Sequence, residues 1–247
     1  MMEAAPSVHL SVVVPVYNER ENLPLLLTEV RQALDPLGEP YEIICIDDGS
    51  TDGSLDVLKE LGPIHPMLRI LVFEQNAGQS AAFAAGFRAA HGDRIVTLDA
   101  DLQNDPADIP RLLSELDRFD AAVGWRVKRS DSLLKRISSR VGNGVRNWAT
   151  GEVIADTGCS LKAFRREALA PLKLYRGLHR FLPTLIRMEG FSVTQVRVNH
   201  RPRTHGKTKY GLLDRLRATV PDLLVVRWMQ SRLIRTSVKE ELGPWPS

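Results

Sequence analysis

Short apolar runs alternate with helical patterns through the first half of this 247-residue chain, and each run ends in a polar turn. The runs occupy residues 8–14, 41–46, 68–73, 95–98 and 121–123. Between them stand apolar residues at helical spacing: Leu25, Leu26, Leu27, Val30 and Leu34, then Leu55, Val57, Leu58 and Leu61, then an Ala-rich stretch over 80–90, then 107–116. Nearly continuous apolar strands joined through helices and short loops predict an α/β fold, with a mostly parallel sheet covered on both faces. Pro15 is expected to stop the first strand, because proline brings no N–H to a ladder. No internal repeat or low-complexity linker interrupts the chain.

The fourth run carries the chemistry. It reads RIVTLDADLQNDP over residues 94–106 and delivers Asp99 and Asp101, with Gln103 just beyond, to the carboxyl end of a strand. Ligands of open α/β sheets bind outside those ends. Two carboxylates one residue apart can point the same way and share Mg²⁺ or Mn²⁺, leaving coordination positions for a diphosphate. The same residues also suit a solvated acidic turn before a helix, with Asp105 and Pro106 as its N-cap and first residue.

Hydrophobic residues make up 43% of the chain, enough for a sizeable core. The formal charge is only +3, but residues 126–235 are rich in Arg and Lys, so that half should face something anionic. Aromatic residues are 6% and do not interleave with the basic runs, which argues against a nucleic-acid partner. Cys45 and Cys159 lie in no CxxC or Cys/His cluster, which suits free thiols and disfavours zinc. The opening MMEAAPSVHL has no basic region ahead of an apolar core, so no signal peptide is expected. No apolar run reaches the roughly 18 residues needed to span a bilayer.

The second half is less regular. An amphipathic helix is expected over 128–146, with Arg129, Lys135, Arg136 and Arg140 beside an apolar face. Short strands are expected at 161–164 and 191–200, followed by the basic, glycine-punctuated RPRTHGKTKYG over 201–211. Residues 212–234 read as an amphipathic helix that Pro221 should kink or restart.

Five motifs then stand in order: PVYNERENLP after the first strand, IDDGSTDGS after the second, LDADLQNDP after the fourth, GWR after the fifth, and HRPRTHGKTKYG near the end. Together they resemble family 2 glycosyltransferases of the GT-A fold. The nearer resemblance is to the dolichyl- and polyprenyl-phosphate glycosyltransferases, the dolichol-phosphate mannose synthase group, over residues 8–212. It implies a GT-A domain at 1–211 and an amphipathic C-terminal helix and tail at 212–247.

The resemblance also implies roles. Pro15, Tyr17 and Glu19 would form the loop that packs on the donor nucleoside. Ile46 and Asp48 would hold its base, although Asp48 equally suits a helix cap. Asp99, Ala100 and Asp101 match the metal and diphosphate motif, with Gln103 as an added ligand. Arg126 matches an arginine that reaches phosphate or sugar, and Arg203 and Lys209 a late basic loop over the diphosphate. Catalysis would then centre on Asp101, Arg126 and Arg203, with Mg²⁺ or Mn²⁺ as cofactor. A polyprenyl phosphate needs a cationic socket rather than a general base, and Arg129 and Arg136 are the candidates beside Arg126. Asp156 would line the acceptor side or bond its own turn, and His179 and Arg180 are pocket residues without an assigned role.

The function implied is inverting transfer of a sugar from a nucleotide-sugar, UDP- rather than GDP-linked, to a polyprenyl phosphate at the cytoplasmic face of the inner membrane. Many members of that group continue into transmembrane helices. For this chain the expectation is peripheral association through residues 212–235, with Trp228 at headgroup level, or a separate membrane subunit. Two alternatives stand beside it: a family 2 transferase acting on a hydroxyl acceptor, and a non-catalytic module binding nucleotide or lipid phosphate.

Overall fold

Strand β1 (Leu10–Val16) organises the sheet, with β2 (Tyr41–Asp47) on one side and β4 (Arg94–Thr97) on the other, both parallel to it. Outside β2 lies β3 (Leu68–Val72), also parallel. Beyond β4 the sheet takes β6 (Lys162–Arg165), antiparallel, then β5 (Ala121–Arg126) and finally β7 (Val193–Val198), parallel to β5. The order in this seven-stranded sheet is therefore β3-β2-β1-β4-β6-β5-β7. These are features of a computed structural model that describes residues 8–126, 144, 151, 154–203 and 212–234. Apart from Gly144, which is helical, the expected helix over 128–146, with Arg129, Lys135 and Arg136, lies outside the described residues, as does Lys209.

Helices α1 (Leu23–Leu34), α2 (Ser54–Leu61) and α4 (Ile109–Glu115) bury one core against Val12, Val14 and Val16 of β1 and Ile43 and Cys45 of β2. The alternate residues Val13, Ile44 and Ile46 face a second core built with α3 (Gln79–Ala89), α5 (Arg166–Leu169) and α6 (Leu182–Met188). That is the two-residue period of a sheet covered on both faces. The small residues of α3 matter here: a Cβ at Gly86 would sit 2.3 Å from Val13 Cγ1.

Pro15 does not end β1. It pairs in register with Ile46, and the strand runs on to Val16. The backbone groups of Val13 face β4, those of Val16 face β2, and the β4 ladder stops at Val13. The position of the missing N–H thus alternates onto the β4 side just past the last rung, where no ladder bond is lost.

Helix α7 (Leu212–Arg232) continues through Pro221 without a break in its assignment. Val226 is fully buried against Phe181 and Leu185, with Leu223 and Met229 packed beside it. Val220, Leu224, Val225 and Trp228 are exposed. Among the described residues, no helix is long and apolar enough to cross a membrane.

Candidate active site

The site is built at the carboxyl ends of β1, β2, β3 and β4, and the loops after the first three are tied to one another. After β1, Asn18 takes a left-handed backbone (φ 53°). This lets its side chain accept from Thr51 N–H at 2.8 Å while its own N–H donates to Ser50 Oγ at 3.0 Å. The N–H of Glu19 donates to Ser54 Oγ and that of Arg20 to Asp52, so the first motif is sewn onto the second. A Cβ at Gly49, whose φ is 69°, would lie 2.7 Å from Asn76 N, so only glycine lets the loop after β2 meet the loop after β3.

Asp48 closes this junction. Its buried carboxylate accepts from Ala77 N–H (2.7 Å), from Gly78 N–H (3.0 Å) and from Asn76 Nδ2 (3.0 Å), organising the turn that opens α3. Ile46 is fully buried in the core under α3, while Pro15 and Tyr17 are half-buried at the end of β1.

The stretch after β4 alternates. Leu98, Ala100 and Leu102 are buried in the core, which places Asp99 and Asp101 on the opposite side together. Leu102 then adopts φ 59°, a costly conformation for a branched side chain, and the chain turns back so that Gln103 N–H donates to Asp101 Oδ1 at 3.1 Å. Asp99 Oδ1 accepts from Gln79 Nε2 at 2.7 Å, and Asp99 is also bonded by Ser160. Burial, and then the charge of Asp101, push the Asp99 carboxyl up to about 6.

Cations surround the pair. Arg203 places Nη2 2.6 Å from Asp101 Oδ2 and Nη1 3.8 Å from Glu19 Oε1, joining the late basic stretch to the first and third motifs. Arg201, two residues earlier, is anchored by Glu29 at 2.7 Å and Asp105 at 2.8 Å. Lys162 is buried and donates to the Cys159 carbonyl, and burial lowers its pKa although Asp99 and Asp156 nearby favour its charge. Arg126 makes a two-pronged pair with Asp156, Nε to Oδ2 at 2.6 Å and Nη2 to Oδ1 at 3.0 Å. Burial works against the Arg126 charge, but Asp156 more than offsets it. Asp156 also accepts from Gly158 N–H, so it serves Arg126 and its own turn at once.

Two neighbouring carboxylates, with burial and then the charge of Asp101 raising the pKa of Asp99, fit a divalent cation whose remaining positions would go to water and phosphate oxygens. Among the described residues no group of three or more His, Cys, Asp or Glu gathers into a self-sufficient metal cage. The structure thus brings together Glu19, Asp99, Asp101, Gln103 and Arg203 of the sequence-predicted set. Gln79, Ser160 and Lys162 were not anticipated. They carry no motif of their own: Gln79 reaches Asp99 from the first turn of α3, and Ser160 and Lys162 from around the start of β6 beside β4.

The sequence profile described as Glycosyl transferase family 2 matches residues 11–172, the span from β1 past β6 that holds all of these groups except Glu29's partner Arg201 and Arg203. The chain belongs to glycosyl transferase family 2. Among other family relatives, undecaprenyl-phosphate 4-deoxy-4-formamido-L-arabinose transferase of Aeromonas hydrophila is 39% identical over 206 residues, 83% of this chain and 63% of that one. Dodecaprenyl-phosphate galacturonate synthase of Rhizobium johnstonii is 39% identical over 230 residues, 91% of this chain and 68% of that one. The chain therefore spans about two thirds of the length of such relatives (63% and 68%). In fold this family 2 member is similar to glucosyl-3-phosphoglycerate synthase from Mycobacterium tuberculosis, solved with Mn²⁺, UDP and glucosyl-3-phosphoglycerate. The TM-score is 0.68 at 19% identity, covering 93% of this chain and 82% of that one. The shared architecture is the GT-A fold.

Proposed function

We propose that this family 2 member transfers a sugar from a UDP-sugar to a polyprenyl phosphate, with inversion at the anomeric carbon, at the cytoplasmic face of a membrane. The observation that carries the reading is the cluster of Asp99, Asp101, Arg203 and Glu19 at the strand ends, in a chain whose relatives are named for transfer to undecaprenyl or dodecaprenyl phosphate.

Donor binding falls to the three tied loops. Tyr17 offers a half-buried ring beside Glu19, and Asp48 fixes the turn against which the base would lie. Asp47, at the end of β2, keeps a buried Oδ1 without a partner among the described residues, and a base N–H is a group that would satisfy it. Mg²⁺ or Mn²⁺ held by Asp99 and Asp101 would neutralise charge on the departing diphosphate. Arg203 stands at Asp101 with its guanidinium ready to share that charge. Because the acceptor phosphate is already anionic, no carboxylate base is required, and the acceptor is placed by cations. Arg126, preset by Asp156, is one, and Arg129, Arg136 and Lys209 are proposed to complete the two phosphate sites. Attack from the side opposite the leaving group produces inversion.

Membrane association is assigned to α7. Its buried Val226 anchors the helix to the body, while exposed Leu224, Val225 and Trp228 flanked by Arg227 and Arg232 suit an anionic lipid surface. The test is nucleotide release from a panel of UDP- and GDP-sugars, with polyprenyl phosphate, with and without Mn²⁺, followed by NMR of the product's anomeric configuration. Release confined to metal, a UDP-sugar and the lipid supports the proposal. Release with a GDP-sugar or a retained configuration overturns those parts of it.

A further inference from the structure

Helix α3 begins at the candidate active site, and its first two side chains point to different partners. Gln79 holds Asp99 Oδ1 at 2.7 Å. Ser80, 7% exposed, lies 2.6 Å from His179 Nδ1 and accepts from Gly177 N–H at 3.0 Å. His179 belongs to the short 3₁₀ segment Leu178–Phe181, and its ring leans on Phe83 of α3 with centroids 6.2 Å apart. Burial, and then the charges of Arg180 and Lys162, lower the imidazole to about 3, so it is neutral throughout the physiological range. Ser80 directly follows Gln79 in α3, so the His179 contact lies one residue along the helix from the bond that holds Asp99.

The tautomer follows from the hydrogen bonds. Ser80 Oγ already accepts a backbone N–H, and its own proton has no acceptor other than His179 Nδ1 among the described residues. The hydroxyl therefore donates to Nδ1, and the ring proton resides on Nε2. That N–H has no partner among the described residues, and it is not among the fully enclosed orphan atoms. The result is a neutral donor, fixed in direction by a serine and an aromatic ring, next to the Gln79–Asp99 contact. A phosphate would be better served by a cation such as Arg126 or Arg203. An uncharged N–H matches an uncharged oxygen.

We propose that His179 is a specificity-determining residue that donates its Nε2–H to a ring or hydroxyl oxygen of the sugar being transferred, with Ser80 as its positioning residue. This rests on the donor reading above, and it adds the group that reads the sugar rather than the nucleotide.

The experiment is calorimetric binding of UDP, UDP-glucose and UDP-galacturonate with Mn²⁺ to the full chain and to His179→Phe, His179→Gln and Ser80→Ala. Loss of one neutral hydrogen bond should weaken the better-bound sugar nucleotide about five- to tenfold in His179→Phe, with UDP affinity unchanged. His179→Gln, which keeps an amide N–H, should recover part of that loss, and Ser80→Ala should show a smaller selective loss. The ratio of the two affinities should stay constant from about pH 6 to 8, because the ring is already neutral. Equal weakening of UDP and UDP-sugar, or no weakening in any variant, overturns the inference while leaving the donor reading standing. Wild-type protein that binds neither nucleotide overturns the donor reading, and this inference falls with it. Should His179→Phe not fold by its melting curve, the glutamine and serine variants decide the matter by the same ratio.

Discussion

Arg203 and Asp101 meet at 2.6 Å although 102 positions separate them in sequence. The same guanidinium lies 3.8 Å from Glu19, so one side chain spans the first, third and last motifs. This pair has a direct consequence, because a cation already on Asp101 competes with a metal for the same oxygen. Arg203→Ala should therefore bind Mn²⁺ several-fold more tightly in the absence of nucleotide, and transfer sugar about a hundredfold more slowly. Titration calorimetry and initial rates on one preparation check both signs. Weaker metal binding in the variant would refute the competition.

Asp99 is an instance of stability given up at a working site. Its folded pKa of about 6 lies above the ordinary 3.8, so its contribution to folding is fully present below about pH 4 and is lost as pH rises to 6. Asp99→Asn carries no such loss. Its melting temperature relative to wild type should climb between pH 4 and 6 and then hold level, while metal-dependent activity disappears. Thermal melts at several pH values in chelator read the first effect. A gap that is constant with pH would contradict it.

The opposite sign is expected at Glu42, at the far end of the sheet. Burial alone would raise this carboxyl, but bonds from Ser11 Oγ at 2.6 Å, from Arg69 and from His91 N–H at 2.6 Å outweigh it and hold it below the usual range. Its stabilisation is thus present above the unfolded value near 4.5 and is lost as pH falls through the lower folded value. Glu42→Gln should destabilise the protein by about 1–3 kcal/mol at pH 7, and the difference should shrink under acid. Urea unfolding at pH 7 and pH 4 measures it.

Helix α7 separates anchoring from docking. Val226 is fully buried and Trp228 is 62% exposed, although they sit two residues apart. Val226→Ala should lower stability by about 1–3 kcal/mol. Leu224→Ser with Trp228→Ser should leave the melting temperature unchanged and reduce binding to vesicles of anionic lipid about tenfold or more. Sedimentation with vesicles distinguishes them, and full binding by the double variant would remove α7 from the membrane account.

The fold class was legible because period and punctuation agreed: each of the first five apolar runs became a strand, and the Ala-rich stretch became α3 close against β1. The direction of β6 was not legible. A four-residue run holds no record of whether it enters the sheet antiparallel, and only its pairing with β4 and β5 decides that. Pro15 looks like a terminator in sequence but does not end β1, because proline blocks a ladder only on the side its nitrogen faces. In the candidate site, the carboxylates and Arg203 could be named from motifs, whereas Gln79, Lys162 and the Ser80–His179 bond could not. Those side chains acquire meaning from packing of α3, β6 and the 178–181 turn, which no local pattern encodes.

The most direct measurement is the mass of the lipid after incubation of the full chain with Mn²⁺, a short-chain polyprenyl phosphate and a panel of UDP-sugars, beside Asp101→Asn. The account predicts a lipid heavier by one sugar residue, formed by wild type, dependent on metal, and absent with the variant. Nucleotide released with the lipid mass unchanged, or equal product from Asp101→Asn, would contradict it.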